Sequence, residues 1–251
     1  PLDKDMNMEI PRGISINRVT SATHVLKMHK NIYGSRFAGR RWNKFLTKKL
    51  IKEVGFKQSS IDECLFYRGN VLYVLYTDDS ILVGPDKSEI DQVIKDIEGA
   101  KLKITDEGDI KDFLGVNIER KGCQVTFTQP LLIDKVLQAL RMQEPILCKN
   151  GMPASNATKP KDTPAATRRV LLRHQDSKPH DRGFDYRPVI GMLGYLQKCT
   201  RSDILYAVHQ CARFSADPKI EHSSAVRWIG RYLIGTKDKG MTFTPDTQLG
   251  A

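Results

Sequence analysis

The stretch from Asn70 to Gly84, NVLYVLYTDDSILVG, constrains this chain more than any other part of it. Two apolar runs flank a pair of adjacent aspartates, Asp78 and Asp79. Apolar runs separated by a short polar interruption are typical of two strands joined in a β-hairpin. Adjacent carboxylates repel each other and are poorly solvated in an apolar setting, so their position between these strands needs a physical reason.

The simplest reason for the two aspartates is a tight turn, where Asp is common. On a lone hairpin, that explanation would be the more frequent one. Both flanking runs are almost continuously apolar, however, which predicts that both faces of the hairpin are covered and that the turn projects into a cleft. Two carboxylates in a cleft need a cation, and Mg²⁺ binds one or two carboxylates together with substrate phosphates. Two such ions can catalyse nucleotidyl transfer, with a further carboxylate from another element.

The segment before the hairpin is strongly basic. Between residues 27 and 57 the only acidic residue is Glu53, and Tyr33, Phe37 and Trp42 are interleaved with the cations. The whole chain has a formal net charge of +11, which favours a polyanionic partner. The basic residues are Lys27, Lys30, Arg36, Arg40, Arg41, Lys44, Lys48, Lys49, Lys52 and Lys57.

Two interpretations of this basic segment stay open. Basic side chains bind phosphates and aromatic rings stack on bases, which would make the segment a nucleic-acid surface. Alternatively, Trp42 and Phe45 belong to the core of a helix and the lysines form its solvated face; for Trp42 this core position is the prediction. Arg36 and Arg40 lie beside Gly34 and Gly39, which allow close approach of a ligand to the backbone.

The periodicity predicts an α+β fold with an antiparallel sheet, followed by a helical part. We predict a Pro-rich linker over residues 145–183, between a domain of residues 1–144 and a helical region of residues 184–251. Ser202 is expected to be a helix N-cap. The predicted strands are residues 61–68, 71–76, 80–83, 103–104, 113–119 and 124–128. The predicted helices are residues 38–54, 88–98, 131–140, 187–198, 202–214 and 218–234.

Several classes of site and partner are disfavoured by composition. The five cysteines include no CxxC pair, which indicates reduced thiols rather than a zinc site or a disulfide framework. The six histidines show no metal-ligand spacing, and His222 is interpreted as structural. No apolar run approaches the roughly 18 residues of a membrane span, so no membrane partner is expected.

Seven blocks of the sequence, in order, resemble the copia-type LTR retrotransposon reverse transcriptases. LYVLYTDDSILVG resembles the family's Tyr-x-Asp-Asp box, and NIYGSRFAGRRWNKFL resembles its SLYGLKQAPRAWY segment. GFKQSSIDECLFYR, DEGDIKDFLGVNIER and QPLLIDKVLQAL resemble the blocks around the box. YRPVIGMLGYLQKCTRSDILYAV and FSADPKIEHSSAVRWIGRYLIGTKDKGMTF resemble the two blocks that follow the linker.

The resemblance implies a polymerase palm that bears the catalytic hairpin, followed by a thumb and a connection region. It implies RNA-directed DNA synthesis with Mg²⁺ (or Mn²⁺), from an RNA template, a DNA primer and deoxynucleoside triphosphates. An integrase would lie upstream in the polyprotein and a ribonuclease H downstream, with the protein in cytoplasmic virus-like particles or in the nucleus.

The resemblance also assigns roles to individual residues. Asp78 would be the main metal ligand and Asp79 the second catalytic carboxylate. Tyr76 would lie near the primer end, and Leu114 and Gly115 would lie near the region that grips the primer. Phosphate contact is predicted for Arg36 and Arg40 from their position beside the glycines, independently of the resemblance. Contacts with nucleic acid or nucleotide are also predicted for Lys30, Phe37 and Gly39.

Two departures from the family lead to an alternative. The family's first metal-binding aspartate lies in a DVK-AFL block that this sequence does not contain, so we expect the fragment to have little or no polymerase activity. Phe37 stands where the family usually has Gln, and Thr77 replaces the usual Val. The alternative is therefore a decayed or repurposed remnant that binds nucleic acid without catalysis.

Overall fold

The computed structural model consists of two compact units. The first unit comprises Pro1–Gly108 and the second comprises Asp109–Ala251. The described residues are 6–11, 13, 24–30, 32, 34–142, 159–166, 170–173, 177–180 and 183–245. No helix within these ranges is long and apolar enough to cross a membrane.

The first unit contains a four-stranded sheet and two helices. Helix α1 (Ala38–Lys49) continues as a π-helical turn over Leu50–Val54, and helix α2 is Lys87–Gly99. A separate short pair is formed by β1 (Asn7–Met8) and β2 (Leu26–Lys27). In spatial order the sheet consists of β3 (Lys57–Gln58), β4 (Leu65–Arg68), β5 (Val71–Tyr76) and β6 (Asp79–Val83). Each neighbouring pair is antiparallel, as the sequence predicted.

Helix α1 forms where apolar residues recur every four positions. Its buried stripe consists of Leu46, Leu50 and Val54. The helical segment ends at Gly55, whose φ of 86° lies in the left-handed region that glycine adopts without steric cost. This end was predicted from the sequence, and it directs the chain into β3.

The N-terminal half of α1 differs from the prediction. Trp42 and Phe45 are 40% and 49% exposed, so the prediction that Trp42 is a core residue is wrong. The physical reason is that burial along this helix begins only at Leu46, which leaves the preceding turns outside the core. An aromatic and basic surface results at the start of the helix.

The sheet of the first unit has one buried face and one exposed face. On β5 the buried residues are Val71, Tyr73 and Leu75, which alternate with exposed or half-buried residues. Leu72 is 42% exposed, and Val83, opposite it on β6, is 50% exposed. The prediction that both faces of the hairpin are covered is therefore wrong for this unit, because the core of the unit lies against one face only.

The second unit combines a second antiparallel sheet with four helices. In spatial order its sheet consists of β10 (Met241–Phe243), β9 (Gln124–Thr128), β8 (Val116–Lys121) and β7 (Asp112–Phe113). The chain therefore returns to this sheet after all four helices, because β10 pairs with β9. The helices are α3 (Pro130–Ala139), α4 (Tyr186–Cys199), α5 (Leu205–Ala212) and α6 (Ile220–Ile234).

Helix α3 shares a core with the C-terminal helices. Ile133 and Val136 of α3 belong to the same buried cluster as Leu193 of α4 and Ile229 of α6. The compact units divide after Gly108, whereas the sequence placed a change of character at residue 144. Residues 143–158 and parts of the rest of the predicted linker lie outside the described residues. The assignment of residues 1–144, 145–183 and 184–251 to separate functions stays a prediction.

Three predicted elements differ in the structure. Residues 61–64 form turns instead of strand, because the side chains of Ser59 and Asp62 accept hydrogen bonds from nearby amides. Residues 103–104 are not a strand. The predicted strand 113–119 is divided by a turn at Leu114–Gly115 into β7 and β8.

Ser202 begins a 3₁₀ turn with no side-chain cap, so its predicted N-cap role is wrong.

Candidate active site

The paired aspartates lie at the tip of the β5–β6 hairpin. Tyr76 pairs with Asp79 across the two strands, so Thr77 and Asp78 form a two-residue connection. Asp78 lies in the turn and Asp79 is the first residue of β6; both are exposed. Because directly paired residues share a face, the side chains of Tyr76 and Asp79 lie on the exposed face of the sheet. The structure thus places Tyr76, Asp78 and Asp79 together, as the sequence predicted.

The turn carries a backbone conformation that is unfavourable for its residue. Thr77 has a φ of 54°, at the first of the two central positions, where a type II′ turn normally has glycine. A left-handed conformation costs roughly 1–2 kcal/mol for a residue with a side chain, and a β-branched one is an outlier there. Such strain persists where surrounding contacts impose it.

One such contact comes from helix α1. The indole Nε1–H of Trp42 donates a hydrogen bond to the backbone oxygen of Thr77 at 3.0 Å. The basic helix and the acidic hairpin were predicted separately, and this hydrogen bond joins them directly. Sequence reasoning missed this role for Trp42, because no periodicity signals an indole that reaches a turn 35 residues later.

Asp78 and Asp79 partly fit a divalent cation site. Two exposed carboxylates are suitable oxygen ligands for Mg²⁺, which commonly uses one or two carboxylates and completes its shell with water and phosphate. Within the described ranges, no group of three or more His, Cys, Asp or Glu side chains could hold a metal ion. Asp78 and Asp79 therefore offer two carboxylates to a cation, with no third His, Cys, Asp or Glu beside them among the described residues.

The start of helix α1 presents positive charge and has no capping side chain. Its N-cap is Phe37, which offers no side-chain hydrogen bond, and its first turn contains no acidic residue. Phe37 is 50% exposed, and the guanidinium of Arg36 lies 5.6 Å from the centroid of its ring. Lys30, Gly39 and Arg40 are exposed as well. An uncapped helix N-terminus beside cationic side chains attracts anions such as phosphate.

The exposed aromatic surface continues along α1. The ring centroids of Trp42 and Phe45 are 6.0 Å apart. The ammonium group of Lys49 lies 5.7 Å from the Phe45 centroid and forms an ion pair with Glu53 at 2.9 Å. Exposed rings interleaved with cations can stack on bases while the cations contact phosphates.

The Leu114–Gly115 turn lies in the second unit. Leu114 and Gly115 have φ values of 52° and 74°, and positive φ at both central residues is the pattern of a type I′ turn. The hydroxyl of Tyr195 donates to the Leu114 carbonyl at 2.7 Å, and Nε2 of Gln129 donates to the Gly115 carbonyl at 3.3 Å. Sequence reasoning named Leu114 and Gly115 as site residues but placed them within a strand, and it missed Tyr195 and Gln129, which hold the turn.

An ionic network around a buried arginine follows directly after helix α4. Arg201 is 1% exposed and makes two hydrogen bonds to the carboxylate of Asp203, at 2.9 and 2.8 Å. Arg201 also donates to the Thr236 carbonyl, and the hydroxyl of Tyr232 donates to Asp203. Burial opposes the charged form of Asp203, but the hydrogen bonds from Arg201 and Tyr232 outweigh it and lower its pKa. This network stabilises the corner between α4 and α5.

His222 supports the structural interpretation made from sequence. Its side chain is 1% exposed, and its ring stacks on Phe214 with centroids 3.9 Å apart. One ring nitrogen accepts from the Lys219 amide at 2.9 Å, and the other lies 3.0 Å from the Leu172 carbonyl. Both nitrogens are therefore engaged in holding chain segments together.

Comparison with known proteins identifies the family of this chain and the group of relatives within that family. The sequence model of a family of template-dependent polymerases, described as reverse transcriptase (RNA-dependent DNA polymerase), matches residues 1–153. The chain therefore belongs to the reverse transcriptase family, and its relatives place it in the copia-type branch. The resemblance seen in the seven sequence blocks is confirmed.

The similar proteins are much longer than this chain. It is 30% identical over 256 residues to the retrovirus-related Pol polyprotein from transposon TNT 1-94 of Nicotiana tabacum, an alignment covering 96% of this chain and 18% of that protein. It is 31% identical over 222 residues to the polyprotein from transposon RE2 of Arabidopsis thaliana, covering 87% and 14%. The Ty1-DR1 Gag-Pol polyprotein of Saccharomyces cerevisiae is 21% identical over 246 residues, covering 90% and 13%. No solved structure matches the chain significantly.

Proposed function

We propose that this chain contributes the catalytic hairpin and part of the nucleic-acid surface of an RNA-directed DNA polymerase. The observation that carries the proposal is the hydrogen bond from Trp42 to Thr77, which joins a basic, aromatic helix to the turn that bears Asp78. Membership of the reverse transcriptase family supports the same function. The substrates would be an RNA template, a DNA primer and deoxynucleoside triphosphates.

The reaction explains why two carboxylates lie at a hairpin tip. The primer 3′-oxygen attacks the α-phosphorus of the nucleotide, and pyrophosphate leaves. Asp78 and Asp79 would hold Mg²⁺ or Mn²⁺, together with a third carboxylate from another element. When bound, the two ions stabilise the attacking and leaving oxygens. The two-residue turn keeps Asp78 and Asp79 at the same end of the hairpin.

The other predicted site residues would bind and orient the substrates. Tyr76 is 56% exposed beside Asp79, where its ring can pack against the sugar or base at the primer end. Arg36 and Arg40 would neutralise phosphates at the start of α1, assisted by Lys30, and Gly39 would let a phosphate approach the backbone. Phe37 would contact the nucleotide or template base through its exposed ring.

The architecture and the context are part of the proposal. We propose that the first unit is the palm, and that the second unit supplies thumb and connection with the primer-gripping turn at Leu114–Gly115. The chain spans less than a fifth of the length of the Pol polyproteins it matches, so we propose that it acts within such a polyprotein. Integrase and ribonuclease H regions would be its neighbours, in cytoplasmic virus-like particles or in the nucleus.

A second candidate function is nucleic-acid binding without catalysis. Phe37, with half of its surface exposed at the start of α1, replaces the Gln usual in copia-type enzymes, and a ring cannot donate the hydrogen bonds of an amide. A chain with this change could keep the salt-dependent binding of phosphates while losing nucleotide selection. The two functions make the same prediction for binding and opposite predictions for synthesis.

Primer extension distinguishes the two functions. A longer polypeptide that includes this chain and the upstream reading frame is incubated with a labelled DNA primer on an RNA template and Mg²⁺. Extension that depends on Asp78 supports the polymerase. Binding without extension by that polypeptide supports the non-catalytic candidate. Failure of the chain to bind the primer–template at low salt would contradict both.

A further inference from the structure

The Leu114–Gly115 turn is held through both of its carbonyl groups. Tyr195, on helix α4, donates to the Leu114 carbonyl, and Gln129, directly before helix α3, donates to the Gly115 carbonyl. The two donors come from separate elements, so the turn cannot rotate as a unit without losing one of them.

The hydrogen bond from Tyr195 also fixes the direction of the Gly115 amide. A trans peptide is planar, and its N–H points opposite to its C=O. Because Tyr195 holds the Leu114 carbonyl, the N–H of Gly115 in the same peptide is directed away from Tyr195. Among the described residues, the Gly115 amide donates no backbone hydrogen bond, and Gly115 is exposed. The turn therefore offers a fixed, neutral donor to a ligand.

The support of the turn continues into the core. Gln129 is 1% exposed, and its Oε1 accepts a hydrogen bond from Oγ1 of Thr200 at 2.9 Å. Thr200 is also 1% exposed and is the C-cap of helix α4, the helix that carries Tyr195. Both ends of the Gln129 amide are thus engaged, which fixes its orientation towards Gly115.

We propose that Tyr195, Gln129 and Thr200 are positioning residues for primer binding. They hold the Leu114–Gly115 turn so that the Gly115 amide donates to a phosphodiester oxygen of the primer strand. This inference rests on the proposed function, because the ligand it names is the primer of that reaction. Tyr195, Gln129 and Thr200 act through the turn and touch no reacting atom.

Binding by the chain itself tests the proposal. Fluorescence anisotropy measures the affinity for an RNA–DNA hybrid with a recessed DNA 3′ end, and for the single-stranded RNA alone. Tyr195→Phe removes only the hydroxyl and should weaken hybrid binding about 3- to 10-fold, the equivalent of one hydrogen bond. Binding of the single strand should not change. Tyr206→Phe is the matched control, because Tyr206 is a 65% exposed tyrosine on the neighbouring helix α5.

The salt dependence of hybrid affinity distinguishes the contribution of the neutral Gly115 amide from that of charged side chains. The Gly115 amide is neutral, so Tyr195→Phe should lower hybrid affinity equally at every salt concentration. Arg40→Gln should instead reduce the slope of log affinity against log salt by about 1. Amide hydrogen exchange provides an independent readout, in which Tyr195→Phe should accelerate exchange at residues 113–116.

A second pair of variants distinguishes loss of positioning from loss of folding. Thr200→Ser keeps the hydroxyl donor to Gln129 and should bind the hybrid like the unchanged chain, whereas Thr200→Val should lose affinity as Tyr195→Phe does. If the unchanged chain does not bind the hybrid, the proposed function fails, and the inference fails with it. If it binds and Tyr195→Phe matches Tyr206→Phe, the positioning role alone is overturned, as it is if Thr200→Ser and Thr200→Val bind equally.

Discussion

Two hairpin turns of this protein, Thr77–Asp78 and Leu114–Gly115, have similar strain and different supports. Each contains a residue other than glycine with a positive φ, Thr77 in one and Leu114 in the other. In each, an aromatic side chain on a helix donates a hydrogen bond to the carbonyl of that strained residue. Trp42 does this in the first unit, and Tyr195 does it in the second.

The two turns differ in how many side chains donate to them and in how deeply those donors are buried. The donor at Thr77 is the indole of Trp42, which is 40% exposed. The turn at Leu114 has a second donor, Gln129, which is buried and bonded to Thr200. The turn proposed to carry chemistry thus has a half-exposed aromatic donor, whereas the turn proposed to position the primer has an additional donor that is anchored in a core.

The largest expected effect is the loss of primer extension when Asp78, in the first turn, is replaced. Asp78→Asn in the longer polypeptide should reduce primer extension by roughly 100-fold or more, because removing a metal ligand removes stabilisation of developing charge. The measurement is the rate of extension of a labelled DNA primer on an RNA template. Asp91→Asn, at an exposed aspartate on α2, is the control for loss of a single charge. Equal activity of the two variants would contradict the assignment of Asp78.

The next effect concerns the buried support of the second turn. Thr200→Val should lower the free energy of unfolding by about 1–3 kcal/mol, because it leaves the buried Oε1 of Gln129 without its donor. Urea denaturation of the chain, followed by circular dichroism, measures the change. Thr200→Ser should lose less than half as much. A neutral Thr200→Val would show that the hydrogen bond between Thr200 and Gln129 does not anchor the second turn.

Removal of the indole donor tests the support of the first turn. Trp42→Phe keeps a ring but loses the hydrogen bond to Thr77, and should cost about 0.5–1.5 kcal/mol of local stability. The measurement is amide hydrogen exchange at residues 76–79, which should accelerate while residues 113–116 stay unchanged. Phe45→Leu, at a similarly exposed position of α1, is the control. Acceleration at both turns would mean that their supports are not independent.

Relief of strain at the first turn should have a smaller effect of opposite sign. Thr77→Gly removes the roughly 1–2 kcal/mol cost of a positive φ but adds a chain-entropy cost of about 0.5–1 kcal/mol, so the net stabilisation should lie between about 0 and 1.5 kcal/mol. Urea denaturation measures it, with Thr47→Gly in helix α1 as the control expected to destabilise. A marked loss of stability in Thr77→Gly would show that Thr77 makes an unrecognised contact.

The smallest effect is a pH dependence of stability that Asp203 should give to the second unit. The pKa of Asp203 is lowered in the folded chain, so the unfolded state binds the proton more readily. The stability contributed by Asp203 is therefore present above about pH 4 and is lost as pH falls through its lower folded pKa. The effect is modest because the side chain is 37% exposed. Urea denaturation between about pH 5 and pH 3 measures it, and Asp203→Asn should remove this component.

Much of the local structure follows from residue patterns near in sequence. The four-residue spacing that ends at Gly55 predicts helix α1, and the apolar runs around Asp78 predict strands β5 and β6. Motif order predicts the family, which the comparisons confirm. The residue pattern predicted a strand wrongly where hydrogen bonds to the side chains of Ser59 and Asp62 compete with the strand. It predicted burial wrongly at Trp42, where helix α1 extends beyond the core.

The sequence by itself determined which residues form the hairpin and which family the chain belongs to, because apolar runs, their polar interruption and the order of motifs are all properties of the linear sequence. The tertiary structure alone decided how the two strained turns are supported. Trp42 reaches Thr77 across 35 positions, and Tyr195 reaches Leu114 across 81. Such hydrogen bonds depend on where packing places a helix, and no sequence periodicity encodes that distance.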